Sequence, residues 1–327
     1  MPLDGRGRES FQGAIMTADL TRKARLDQMV RLGDALDGLE KAGREPTTEP
    51  AEFEGREGYK QDFLNGWRIE LPRPKAGTPR ANDMRELKRG GSGIELKYRN
   101  FSVIMSASRR MPMLTAANID GSEARSVPRI SVWSFDGRLD KEDQWGDALY
   151  DSNALDRGHM VRREDPVWGT LEEANEANED TFHFTNSCPQ MAGVNQQVWL
   201  GLENYILQHA KADDMRVSVF TGPFFSDGDL AYRDALVPLA FWKVVAIVTE
   251  DGRPSATAYK VSQTKELEDL EFVYAGYKTF QISIKQVIKA TGIDFGPLVE
   301  FDGFSQHESV SGTELEERID GLESVRV

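Results

Sequence analysis

The sequence predicts an α+β protein, with a mixed core over roughly residues 56–295 and a helical segment at each end, on three observations. Stretches of strand character recur along the chain, each bounded by turn residues. An apolar stripe at helical spacing marks the amino-terminal region. No internal repeat is visible, which argues against solenoids and propellers.

Taken in order, Leu26, Met29, Leu32, Leu36 and Leu39 predict an amphipathic helix over about 18–42. The run GREPTTEPAEFEGREG that follows is polar, acidic and proline-containing, and reads as a linker, so residues 1–55 form an extension. Residues 72–93, rich in Pro and Gly, predict a second irregular stretch. FSVIMSASRRMPMLTAANI, at 101–119, predicts two strands joined by a turn at Ser108 to Met111, and MRVSVFTGPFF, AFWKVVAIV and SATAYKV predict three more after residue 210. Val198, Leu202, Tyr205 and Ile206 mark a helix from about Gly193 to His209. Residues 296–327 read as an acidic tail in which TELEERIDGLES forms a short helix.

Composition narrows the function. With 39% hydrophobic and 29% charged residues the chain reads as an ordinary globular protein, and no apolar run is long enough to span a bilayer. The opening MPLDGRGRESFQGAIMTADL places acids and arginines where a signal peptide needs an apolar core, so a cytoplasmic location without membrane association is expected. The single cysteine, Cys188, permits no intrachain disulfide. A net charge of −14 argues against holding nucleic acid by bulk electrostatics, yet residues 73–110 carry ten basic side chains against three acids. That segment reads equally as a polyanion track or as a solvated loop.

Two segments carry the chemistry: Asp156-Arg157-Gly158-His159, and the run FTNSCPQMAGVNQQVWLGLENY that begins at Phe184. If the tetrapeptide ends a strand, Arg157 and His159 face one side and Asp156 the other, with Gly158 leaving room for a ligand to approach the backbone. A guanidinium beside an imidazole suits a phosphodiester: one forks onto phosphate oxygens, the other accepts a proton near neutral pH. Eight residues separate Asn195 from Glu203, which on a helix leaves them about 12 Å apart along the axis, so both can border one cleft without ligating one metal together. Asn195 offers an amide oxygen, a hard ligand suited to a Mg²⁺ ion that keeps most of its waters. Taken singly, each residue has an ordinary explanation: His159 as a packed strand residue, Asn195 as a helix cap, Glu203 as a solvated carboxylate.

In combination, DRGH, then Asn186 with Pro189 and Gln190, then Asn195 with Trp199 and Glu203, resemble the DNA/RNA nonspecific endonucleases of the ββα-metal type, over about residues 56–290. The resemblance implies a hairpin plus helix at the site, beside a central antiparallel sheet. It gives His159 the role of general base and Asn195 that of sole direct ligand of a hydrated Mg²⁺, for which Mn²⁺ is the expected substitute. Glu203 then orients metal-bound water, Arg157 stabilises the phosphate, and Asp156, Asn186 and Gln190 support the site or the substrate. The products would carry 5′ phosphates. A further phosphate-contacting arginine is implied upstream of DRGH, with Arg129 and Arg138 as the candidates.

Rival readings are a cysteine hydrolase using Cys188 and His159, a zinc site from His159, His183 and Cys188, and an inactive nuclease-fold scaffold that binds nucleic acid or a partner protein. The acidic run LEEANEANED at 171–180 reads as an outward loop. An indiscriminate nuclease inside its own cell needs restraint by an inhibitor, a partner or the segment before residue 55. The predicted helix at 18–42 could alternatively bury its stripe in a homodimer.

Overall fold

The computed structural model describes residues 45–191, 200–263 and 278–319. The helix predicted over 18–42 lies outside the described residues, as do Asn195 and Trp199. Ten strands, numbered in chain order, and four helices position the site. They are β1 Glu95–Tyr98, β2 Phe101–Met105, β3 Pro112–Asp120, β4 Leu155–His159, β5 Ser187–Met191, β6 Arg216–Pro223, β7 Ala240–Val248, β8 Pro254–Ser262, β9 Lys278–Ile282 and β10 Glu316–Ile319. The helices are α1 Leu171–Asp180, α2 Leu200–Ala212, α3 Ile284–Thr291 and α4 Gly303–Ser311.

Eight strands form one antiparallel sheet in the order β10-β9-β8-β7-β6-β3-β2-β1, while β4 and β5 pair only with each other beside it. The central strands read as near-continuous apolar runs because the sheet is covered on both faces: every residue of β2 and β3 is buried. The expected turn between β2 and β3 is present, with a register shift at Ile104 and Met105 and Arg110 in a left-handed conformation.

Leu202, Ile206, Leu207 and Ala210 fall on one face of α2 and pack into the same apolar cluster as Ile119 and Val217 of the sheet. This burial fixes α2, and with it Glu203, against the central strands. Ser283 caps the start of α3 and Gly292, in the left-handed region, ends it.

Three local expectations are corrected. LEEANEANED is helix α1 rather than a loop. Thr170 and Glu173 close a capping box at its start, and its acids are answered by Arg56 and Arg99, which bridge to Glu176 and Asp180. The acidic linker is docked: Thr47 and Thr48 pair with Phe135 and Asp136, and Phe53 is buried against Tyr98 and Arg138. One large aromatic among the acids gains more by burial than the acids lose, because they stay at the surface. In the tail, Glu316–Ile319 is strand β10, paired along β9, because an open sheet edge offers main-chain partners that outweigh the local helix propensity. Four arginines of the basic 73–110 segment are also paired, with Asp143, Asp140, Glu176 and Asp229, so its charge is largely spent within the fold.

Candidate active site

Register sets the site. Antiparallel pairing places Arg157 opposite Pro189 and His159 opposite Ser187, so these four share one face of the hairpin. Asp156, Gly158, Cys188 and Gln190 take the other. The predicted division between Arg157 with His159 and Asp156 therefore holds in the strand geometry. The expected ligand space at Gly158 does not: a Cβ there would lie 2.1 Å from Gln190 Oε1 and 2.5 Å from its Cγ, so the Gln190 side chain fills the gap from the far side. Gln190 is fully buried, and neither of its amide atoms has a hydrogen-bond partner among the described residues.

His159 is partly buried, with its ring 4.7 Å from that of Trp133 and 5.0 Å, edge to face, from that of Phe182. Its Nε2 is sealed from solvent and meets no hydrogen-bond partner among the described residues. Burial, reinforced by the nearby charges of Arg129, Arg163 and Arg157, pushes the imidazole down to about 3 from its ordinary 6.5. The ring is therefore neutral at physiological pH and able to accept a proton.

The three guanidiniums are held differently. Arg157 forms an ion pair with Asp147. Arg163 donates to Asn178 Oδ1 at 3.2 Å and pairs with Glu164. Arg129 is exposed and lies 5.3 Å from the Phe182 ring centre. Of the two upstream candidates, then, Arg129 stands beside His159, whereas Arg138 is buried in an ion pair. Arg138 is 4% exposed, bonded to both carboxylate oxygens of Asp136 and to the Lys97 carbonyl, and stacked 3.7 Å from the Phe53 ring, so its guanidinium is engaged inside the fold.

Asn186 is likewise committed. Its Oδ1 accepts from the Val161 N–H at 2.8 Å, and its Nδ2 donates to the carbonyls of Val161 and Thr181, each at 3.0 Å. That amide pins the chain just beyond His159 to the turn that leads into the second strand, so Asn186 is committed to holding the two strands together.

Glu203, on α2, is 7% exposed, and its Oε1 accepts from Lys243 Nζ at 3.1 Å. Lys243 rises from β7, is 1% exposed, and also donates to Thr221 Oγ1 across the strand pair at 3.1 Å. Arg162, three residues past His159, donates to the Glu203 main-chain carbonyl at 3.2 Å and to Asn204 Oδ1 at 2.6 Å. Two cations thus tie the helix to the sheet and to the histidine strand. Neither was found from the sequence, although a lysine inside the apolar run AFWKVVAIV was the available signal, since a buried ammonium needs a partner.

The cysteine rivals fail on geometry. Cys188 is fully buried on the hairpin face opposite His159, and burial pushes its thiol well above the usual range. His183 engages the Asp180 carbonyl through Nδ1 and Thr48 Oγ1 through Nε2, each at 2.9 Å. Among the described residues no group of three His, Cys, Asp or Glu side chains is placed to hold a metal. This donor set suits a hard, largely hydrated cation rather than zinc: a carboxylate on α2 and, by sequence, an amide oxygen from Asn195.

A histidine-bearing hairpin with a helix in the next stretch of chain, packed beside an antiparallel sheet, defines the ββα-metal nuclease fold. A solved structure described as an EndoG/EndoGI complex, bearing on EndoG inhibition, shares it with a TM-score of 0.50 at 17% identity, covering 63% of this chain and 86% of that one. The chain belongs to the DNA/RNA non-specific endonuclease family, which it matches over residues 80–302. It is 38% identical over 288 residues to the uncharacterized protein y4fB of Sinorhizobium fredii, covering 81% of this chain and 43% of that protein. To human mitochondrial endonuclease G it is 26% identical over 162 residues, covering 46% of this chain and 51% of the relative. The chain thus spans about half the length of these relatives.

Proposed function

We propose that this protein is a sequence-nonspecific endonuclease that hydrolyses phosphodiester bonds of DNA and RNA with a divalent cation, Mg²⁺ or Mn²⁺ in its place, leaving 5′-phosphate ends. One observation carries the reading: His159 Nε2 is buried and, among the described residues, without a hydrogen-bond partner, in the field of three guanidiniums.

That arrangement asks for an anion with a water beside it. Arg157, Arg129 and Arg163 bind the non-bridging oxygens of a phosphodiester, whose negative charge offsets the repulsion that keeps the imidazole unprotonated. With substrate bound, the proton affinity of His159 climbs back toward its ordinary value, and Nε2 takes the proton of the attacking water. Trp133 and Phe182 hold the ring in place and exclude competing water. Lys243 pairs with Glu203 inside the fold and holds its carboxylate in place, oriented toward the water around the ion. Asn195 and Glu203 would hold the hydrated cation, which when bound supplies charge neutralisation at the phosphate and the leaving oxygen. Because water is the nucleophile, no 2′-hydroxyl is needed, and DNA and RNA are both substrates. Restraint by an inhibitor protein is the partner relation we extend to this chain from the EndoG/EndoGI complex.

Plasmid DNA and RNA incubated with the purified protein test the reading. Loss of both substrates with Mg²⁺, none with EDTA and none with His159→Ala is the expected result. Intact substrates with Mg²⁺, while the protein still binds them, would instead mark an inactive scaffold.

A further inference from the structure

We infer that Asp147 sets the affinity for nucleic acid: its carboxylate occupies Arg157 where a substrate phosphate would sit, and it is displaced on binding. The inference rests on the reading of Arg157 as a phosphate contact. Carboxylates and phosphates are both recognised by the same forked donor, so one can stand in for the other.

The pair is built to be exchanged. Arg157 and Asp147 side chains are 33% and 30% exposed, within reach of a polyanion, whereas the Arg138–Asp136 pair is sealed at 5% and 0%. Asp147 is nevertheless rigidly presented. It opens a tight turn, its N–H donates to Glu45 Oε1 at 2.8 Å, and its carbonyl accepts from the N–H groups of Tyr150 and Asp151 at 2.8 Å each.

The carboxylate is also crowded. Partial burial pushes Asp147 above the usual carboxylate range against the pull of Arg157, and the negative charges of Glu45 and Asp151 push the same way. A phosphate arriving at Arg157 replaces that attraction and lets Asp147 relax toward water. Asp147 lies outside DRGH, so the motif alone does not reveal that its arginine is already engaged.

The test is binding of a fluorescein-labelled DNA oligonucleotide to the full chain in EDTA, followed by anisotropy, with Asp147→Asn, Asp147→Ala and each of these combined with Arg157→Ala. Tightening by about two- to fivefold in both single variants, the worth of a partly exposed ion pair, is expected, with KM in Mg²⁺ falling to match. In the Arg157→Ala background the same changes should have no effect. Weaker binding in the single variants would mean that Asp147 braces Arg157 productively, and equal tightening without Arg157 would mean general charge relief; either overturns the inference. Absence of cleavage by the unmodified protein would sink the nuclease reading separately, because the binding comparison needs no turnover.

Discussion

Replacing Lys243 by methionine probes the buried ion pair that anchors Glu203 inside the fold. At 3.1 Å the two charges attract by about 5 kcal/mol at an effective dielectric of about 20. Much of this offsets their desolvation, so the informative quantity is the cost of leaving one charge buried alone, about 3–5 kcal/mol. Lys243→Met should therefore lower the unfolding free energy by that amount. The double variant Lys243→Met with Glu203→Gln, which buries no charge, should regain most of it. Guanidinium chloride unfolding, compared at constant slope, reads both changes as shifts in midpoint. The double variant should stay inactive despite its recovered stability, since the carboxylate is gone. A single variant within 1 kcal/mol of the parent, or a double variant no more stable than the single, would refute the buried-pair account.

The acid limb of kcat/KM, which reports the free enzyme, should lie well below 6.5 because burial and three arginines disfavour the imidazolium, and Arg129→Ala should move it upward. The same shift acts on stability: the unfolded chain binds this proton near 6.5 and the folded chain only near 3, so unfolding at a series of pH values should show stability falling as pH drops through that window. Arg138→Met should destabilise by about 3–5 kcal/mol by stranding Asp136, whereas Arg129→Ala should leave stability within about 0.5 kcal/mol and lower kcat/KM. Gly158→Ala, whose new methyl group meets Gln190 Oε1 at 2.1 Å, should cost about 1–3 kcal/mol by thermal unfolding, a neighbouring Gln190→Ala restoring part of it.

Much of this was legible in the sequence, for a physical reason in each case. The strands at 101–119 and after residue 210 are read correctly because buried central strands are continuous apolar runs with turn residues between them. Arg157 and His159 share a face because strand side chains alternate, and no tertiary information is needed for that. Where long-range contacts decide, sequence reading stops. LEEANEANED looks like a solvated loop until Arg56 and Arg99 arrive from 77 or more positions away to pair with its acids. Arg138 and Arg129 are indistinguishable as letters, and only the burial of Asp136 beside one of them separates a core ion pair from an exposed guanidinium near His159. Asn186 and Gln190 sit within the motif that carries the resemblance, yet one braces the chain beyond His159 and the other fills the space behind Gly158. Within TELEERIDGLES, which has helical propensity, Glu316–Ile319 is an edge strand because β9 offers it a partner.

A crystal structure of the His159→Ala variant and of the parent, each with Mg²⁺ and an uncleaved oligonucleotide, tests the central claim most directly. The account predicts that in the parent His159 Nε2 lies about 2.6–3.2 Å from a water in line with the scissile phosphorus. It places Asn195 Oδ1 about 2.1 Å from the ion, and Arg157 released from Asp147 onto a phosphate oxygen. Phosphate bound on another face, or an ion held far from both His159 and Asn195, would contradict it.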